Sequence, residues 1–542
     1  MVGANEEDLL TDQGTPSAED SNTARRTIGP ALIALLVIAP AASPALTLWA
    51  SNVGQVPKLH RLVLVAAGFA LLGVVVFLLL RRTTSDSRVA AFVTFFALLT
   101  LTSGARVLEN GSWLVRWVAA LAAVAIAAMI VHRLRALWML DAVIVASAVA
   151  LIVPPLISGT WAALAPGADS SVQARASLPE MSELHDVVLV VVDGYTSLPV
   201  LRELYGFEDP TLRDDLRRAG LEVVEPIFSP YPMTHLTISS LLELDYVTED
   251  RPRTSTEDGR SLGDVIGGDS FLTELLDANG YRITMVEPGW HVSTCGARID
   301  VCVADRFVDE SVGAVISQSM LWSVIQPSVG SAFSHGARNA MNWTAEHLDE
   351  VVNNGSPDFV FVHVLAPHPP NFLDAECAIT LDSRSGASSS SMVGRAATQA
   401  ELDGYVNQVR CVNRFLRDVA AAVSASDALV FIVGDHGSDS MSQLDTDPTL
   451  WTDPQVVERM SVFLTAKPSP GCELERHLVT LGMLRSLVSC AGGLGLSPLQ
   501  ERAFLLSVSG NDPQGSMRSL DTDELRRFAN CLETLGEDLA CP

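Results

Sequence analysis

Five long apolar segments occupy the first 159 residues of this 542-residue chain: roughly Ile28–Trp49, Leu62–Leu80, Val89–Leu101, Trp113–Val131 and Trp138–Ile157. A helix needs about 20 residues to cross a hydrocarbon core of about 30 Å, and only the third segment falls short of that. The first segment does not read as a cleaved signal peptide, because four similar ones follow it. The sequence therefore predicts an α-helical membrane domain of five spans over residues 27–159. Ahead of it lies an acidic, polar tail (residues 1–26) with the composition of a disordered segment, including Glu6, Glu7, Asp8, Glu19 and Asp20.

Basic residues set the expected orientation. Arg25 and Arg26 precede the first span, Arg81, Arg82 and Arg88 follow the second, and Arg133 and Arg135 follow the fourth. The alternate loops hold only Lys58, Arg61 and Arg106. The positive-inside rule then puts the N-terminus in the cytoplasm, and an odd number of spans puts the remainder outside. Cysteine usage agrees. All eight cysteines lie beyond the spans: Cys295, Cys302, Cys377, Cys411, Cys472, Cys490, Cys531 and Cys541. An even number confined to the outer part suits disulfides in an oxidising compartment, with neighbour pairing the simplest arrangement. A zinc cluster is the competing reading, but no Cys-x-x-Cys spacing supports it.

After a connector (160–184), composition turns to that of a soluble domain. Most of the net charge of −27 resides there, which argues against a nucleic-acid partner. Strand patterns at Val187–Val192, Tyr281–Val286, Phe359–Val364, Leu429–Val433 and Ser461–Leu464 alternate with helical ones at Thr211–Ala219, Phe271–Ala278, Ala340–Val352 and Leu402–Val423. This alternation predicts an α/β outer domain over 185–468, a largely parallel sheet between helices. A C-terminal extension bearing two suspected disulfides occupies 469–542. The run Ser383–Ser391 cannot build core and reads as a mobile loop.

Two strands carry the chemistry. Leu429–Val433 runs into Gly434-Asp435-His436-Gly437, and Val187–Val192 runs into Asp193-Gly194. Continuous apolarity suits strands covered on both faces. A carboxylate and an imidazole at such a strand's C-terminal end need partners once they leave water, and they are suitable ligands for a divalent cation. Taken singly, either acid has an ordinary alternative as a turn residue or helix cap.

Pro230-Tyr231-Pro232-Met233-Thr234 leads into a hydroxyl-rich helix start, where free backbone N–H groups favour an anion; a plain threonine cap is the alternative. Phe359–Val364 leads to Pro367-His368-Pro369, where the prolines restrict the backbone around a histidine suited to a phosphoryl oxygen or a leaving group. His363, within that strand, is either a support for the site or a core histidine.

In this order the motifs resemble the sulfatase-like hydrolases and transferases of the alkaline phosphatase superfamily. The resemblance rests on Val-Val-Val-Asp193-Gly, Tyr-Pro-Met-Thr234, His363-x-x-x-x-His368-Pro-Pro and Gly434-Asp435-His436-Gly437, and covers roughly His185 to Ala466. The membrane layout is similar to that of lipoteichoic acid synthases and lipid A phosphoethanolamine transferases. The resemblance implies Thr234 as nucleophile and metal ligand, with Asp193, Asp435 and His436 as the remaining protein ligands. It implies substrate contacts for His368 and His363, and one divalent cation, Mn2+ or Zn2+ by the mixed donors.

Two departures narrow the chemistry. Thr234 cannot become a formylglycine, and no Cys/Ser-x-Pro-x-Arg run is present. No Asp-x-x-x-His element follows Thr234, although His477 is a distant candidate for a second metal site. The resemblance then implies an extracytoplasmic enzyme that moves a phospho-head group from a phospholipid donor to an envelope glycan or lipid. A hydrolase of phosphate or sulfate esters is the alternative; a non-catalytic membrane binding protein is the second.

Overall fold

The computed structural model describes residues 29–51, 59–84, 86–107, 113–134, 138–164, 178–249, 255–256, 260–288, 293–304, 310–369, 371–380, 397–441, 443–506 and 516–533. The N-terminal tail, most of the connector, the Ser383–Ser391 run and Cys541 lie outside them.

Among the described residues, five helices are long and apolar enough to cross a membrane. They are α1 (Pro30–Ser51), α2 (Leu59–Thr83), α3 (Ser87–Val107), α4 (Trp113–Leu134) and α5 (Trp138–Leu164). The third segment is longer than its apolar run suggests, at 21 residues, because its polar groups find partners. Thr94 donates to the Ala90 carbonyl at 2.8 Å and Thr102 to the Pro40 carbonyl at 3.0 Å, so both hydroxyls are satisfied within the bundle. Arg88, at the start of α3, pairs with Asp141 of α5. Leu64, Leu71, Leu78, Leu121 and Val143 stay exposed on the outer surface, as lipid-facing side chains should.

Among the described residues, the outer domain holds a seven-stranded sheet in the order β2-β7-β6-β1-β5-β3-β4. Its strands are β1 (Val187–Val192), β2 (Glu222–Val223), β3 (Arg282–Val286), β4 (Val301–Val303), β5 (Asp358–Val364), β6 (Leu429–Gly434) and β7 (Leu464–Lys467). The central pairings β6/β1/β5/β3/β4 are all parallel, and β7 is antiparallel to both β6 and β2. A strand expected at Ser461–Leu464 begins three residues later. Val462 instead gives its N–H to the Ile227 carbonyl, and the ladder with β6 opens at Leu464.

Pleating splits the sheet's apolar residues between two cores. Val187, Leu189, Val191, Phe359, Phe361, Leu429, Phe431 and Val433 face one side. There they meet α6 (Leu198–Tyr205), α8 (Thr234–Glu243), α9 (Leu262–Ile266), α10 (Phe271–Ala278), α14 (Asp453–Met460), α15 (Thr480–Ala491) and α16 (Thr522–Glu533). Residues after Pro468 thus complete the same core that holds α8. Val188, Val190, Val192, Val360, Val362, Val430 and Ile432 face α7 (Leu212–Arg218), α12 (Trp322–Val351) and α13 (Gln399–Val423). A short helix, α11 (Glu310–Ser317), reaches back to the membrane part. Its Val315 packs with Ala41, Ala45, Leu62 and Phe69, and the Met320 N–H meets the Leu101 carbonyl at 2.7 Å.

Cys295–Cys302, Cys377–Cys411 and Cys472–Cys490 are disulfides in the expected neighbour pairing. Cys531 is also disulfide-bonded.

Candidate active site

Register decides which residues meet. Val192 lies level with Val364 on one side and Gly434 on the other, so β1, β5 and β6 end together. The next residues on the two acid-bearing strands, Asp193 and Asp435, therefore emerge side by side at the sheet's C-terminal edge. The Gly194 N–H donates to Asp435 Oδ1 at 2.9 Å, and the His368 N–H donates to the Asp193 carbonyl at 2.9 Å.

Glycines let the strand ends pack this tightly. A Cβ on Gly434 would stand 2.3 Å from the Tyr195 carbonyl oxygen, and one on Gly437 would stand 2.0 Å from that of Glu458. Neither distance tolerates a side chain.

Thr234 is the first residue of α8, after an extended Met233. Pro230 and Pro232 keep the approach out of the helix. Ser229 donates to the Asp435 carbonyl at 2.6 Å, tying this approach to the end of β6. The result is a half-buried Thr234 hydroxyl 3.1 Å from His436 Nε2. His436 Nδ1 donates to the Gly437 carbonyl at 2.9 Å, so Nε2 carries the lone pair. That nitrogen is 3.5 Å from Asp193 Oδ1 and 3.4 Å from Asp435 Oδ2.

The two carboxylates differ sharply. Burial opposes the charge on Asp193, but the His368, His363 and His436 imidazoles outweigh it and hold the carboxyl below the usual range. Burial and the neighbouring Asp193 together push Asp435 well above that range. Burial, reinforced by the Arg459 cation, holds His436 well below the usual histidine range and so neutral.

These residues fit a divalent cation. Asp193 Oδ1 and Asp435 Oδ2 are buried oxygens with no hydrogen-bond partner, an arrangement that costs free energy unless a cation satisfies it. Donor atoms of Asp193, His368 and His436 all lie within 4.8 Å of one another. The structure thus brings Asp193, Thr234, Asp435, His436 and His368 to one place. His363 lies behind them with no exposed surface; its Nε2 is 3.5 Å from Asp193 Oδ2, and its Nδ1 is 2.9 Å from the Ser293 hydroxyl. His477 pairs with Glu501 at 2.6 Å and is not in the ligand group. A second grouping, Glu287 with Cys295 and Cys302, is built on a disulfide and offers no thiolates.

Several supporting residues belong to no motif. Tyr405 donates to the Gly194 carbonyl at 2.8 Å. Gln408 donates to the carbonyls of Pro367 at 3.0 Å and His368 at 3.2 Å. Both lie on the buried face of α13, and a polar residue interrupting an apolar stripe was the available signal. Glu458 accepts from the Ser438 hydroxyl at 2.9 Å and the Ser440 N–H at 2.6 Å, holding the loop beyond His436. No local pattern marks it.

The profile of one protein family, Sulfatase, matches residues 185–458. No curated protein matches the chain. Similar solved structures include integral membrane lipooligosaccharide phosphoethanolamine transferase A (EptA) from Neisseria meningitidis. It is 15% identical and aligns over 82% of this chain and 89% of its own, with a TM-score of 0.35. The C-terminal periplasmic domain of EcEptC from Escherichia coli, in complex with Zn, is 13% identical over 64% of this chain and 97% of its own, with a TM-score of 0.35. A protein of glycosaminoglycan metabolism from Bacteroides thetaiotaomicron is 14% identical over 63% and 85%, with a TM-score of 0.36.

Proposed function

The chain belongs to the Sulfatase family, and from that premise we propose that it is a membrane-anchored phosphotransferase with a threonine nucleophile. The observation that carries this reading is the Thr234 hydroxyl, 3.1 Å from His436 Nε2 and beside two buried, unpartnered carboxylate oxygens. A threonine is a weak nucleophile by itself and cannot form the formylglycine of sulfate-ester hydrolases.

Asp193, Asp435, His436 and Thr234 would hold one divalent cation, Mn2+ or Zn2+ by the mixed oxygen and nitrogen donors. Such an ion supplies Lewis acidity: it lowers the pKa of a bound hydroxyl and neutralises charge on phosphoryl oxygens. Thr234 Oγ attacks the phosphorus of a phospholipid as its proton passes to solvent. The phosphorus–oxygen bond to diacylglycerol breaks, and the departing oxygen takes up one proton from solvent in return. The head group, left as a phosphodiester on Thr234, passes to a hydroxyl of an envelope glycan or lipid, and Thr234 recovers its proton.

His368 lies near enough to the ligand group to bond a phosphoryl oxygen of that substrate, while the N–H groups that open α8 favour the same charge. We assign His363 to holding Asp193, because it has no exposed surface for substrate. Five spans suit a lipid donor. The basic loops and the disulfides support a cytoplasmic N-terminus and an extracytoplasmic catalytic domain.

The test is full-length protein in nanodiscs with head-group-labelled phospholipid. Wild type should gain the label on Thr234 and release diacylglycerol, and Thr234→Ala should do neither. Undiminished turnover by Thr234→Ala overturns the reading, and transfer of the label only to water favours the hydrolase.

A further inference from the structure

Arg459 is the next-to-last residue of α14 and only 4% exposed. Its guanidinium spans two segments that sequence keeps more than two hundred residues apart. Nε donates to the Pro232 carbonyl at 3.0 Å, and Nη2 donates to that same oxygen. Nη1 donates to the Gly437 carbonyl at 2.9 Å. The backbone answers in kind, since the Gly437 N–H donates to the Arg459 carbonyl at 2.7 Å.

Both anchor points are one step from chemistry. Pro232 lies two residues before Thr234. The Gly437 oxygen also accepts the proton of His436 Nδ1. Arg459 therefore fixes the carbonyl that sets the tautomer and ring orientation of His436, and it fixes the chain that delivers the hydroxyl.

Packing alone does not call for an arginine here. Among the described residues no carboxylate forms an ion pair with Arg459, so the buried charge is met by the dipoles of the Pro232 and Gly437 carbonyls. Taking a cation out of water is costly unless its surroundings compensate for it. A planar fork with donors at fixed spacing can hold two carbonyls from different loops at once, whereas an ammonium is a single point charge.

We propose that Arg459 is a positioning residue that staples the Thr234 loop to the Asp435-His436 loop, setting the distance between nucleophile and metal ligand. The assignment rests on the reading of Thr234 as nucleophile. It goes further by naming what holds the pair in register.

The experiment compares wild type with Arg459→Met and Arg459→Lys, as full-length chains in nanodiscs. Affinity for Mn2+ alone is measured by calorimetry, the rate of label transfer to Thr234 by single turnover, and folding by thermal unfolding in chelator. Residues that orient metal ligands typically cost 10–100-fold in metal affinity or activity when replaced. Both variants should lose metal affinity and adduct rate within that range, while KM for the lipid donor stays near the wild-type value. Arg459→Lys should not recover them, because it keeps the charge and loses the fork. If Arg459→Met does not fold, Arg459→Lys carries the test. Wild-type Mn2+ affinity and adduct rate in Arg459→Lys would overturn the staple. A wild type that forms no adduct on Thr234 would instead overturn the nucleophile, so the two failures are distinguishable.

Discussion

Strands β1 and β6 each carry an unbroken apolar run into an aspartate, yet their two carboxylates sit under opposite electrostatics. Asp193 has three imidazoles around it, from His368, His363 and His436, and keeps its charge despite burial. Asp435 has Asp193 for a neighbour and is pushed the other way. Asp435 also accepts the Gly194 N–H and lies 3.4 Å from His436 Nε2, the nitrogen that faces the Thr234 hydroxyl, so it reaches the nucleophile through that histidine. Two similar stretches of sequence therefore become unequal partners. Asp193 anchors charge, and Asp435 couples that charge to the reacting hydroxyl.

Replacing the two acids in turn is the strongest way to break this distinction. Asp435→Asn should lower single-turnover adduct formation by about 10²–10³-fold, the scale of losing one well-placed electrostatic contact. Asp193→Asn should lower it less, since Asp435 still accepts the Gly194 N–H and still lies 3.4 Å from the histidine nitrogen that faces Thr234. Equal losses would make the two aspartates interchangeable.

A smaller effect sharpens the Asp193 side. His363→Gln removes an imidazole that supports Asp193 without touching substrate, and should weaken Mn2+ binding about tenfold, the low end for an outer-shell partner. Added to Asp193→Asn, it should cost nothing more. Simple addition of the two losses, read by calorimetric titration, would separate His363 from Asp193.

The smallest effect lies at the opposite end of β1. Burial pushes Asp186 up to about 6, although the Asp358 N–H it accepts at 2.8 Å pulls the other way. A carboxyl raised by folding favours the fold while protonated, and that contribution fades as pH rises from 3.8 through about 6. Wild type should therefore lose a little stability over that interval relative to Asp186→Asn, whose amide oxygen can still accept the Asp358 N–H. Unfolding midpoints that run parallel for the two proteins would remove Asp186 as the cause.

Much of this was legible in sequence because it rests on short-range pattern. Continuous apolar runs mark strands covered on both faces, as in β1, β5 and β6, and 20-residue apolar runs mark spans. Asp193, Asp435 and His436 stood out because polar residues ending such runs have no packing reason to be there, and Thr234 and His368 because prolines precede or flank them. The third span was harder to read, since Thr94 and Thr102 look polar until the Ala90 and Pro40 carbonyls satisfy them. The start of β7 slipped because Val462 bonds to Ile227, a partner more than two hundred residues away.

The order of elements, their burial on both faces and the identity of the chemical groups were determined by the chain itself, since each depends on neighbours within a few residues. The level ends of β1 and β6, the contrast between Asp193 and Asp435, and the reach of Arg459 to Pro232 and Gly437 were decided only by the tertiary structure. Those features depend on distances between segments far apart in sequence. Electrostatic and hydrogen-bond energies change steeply over such distances, and no local pattern encodes them.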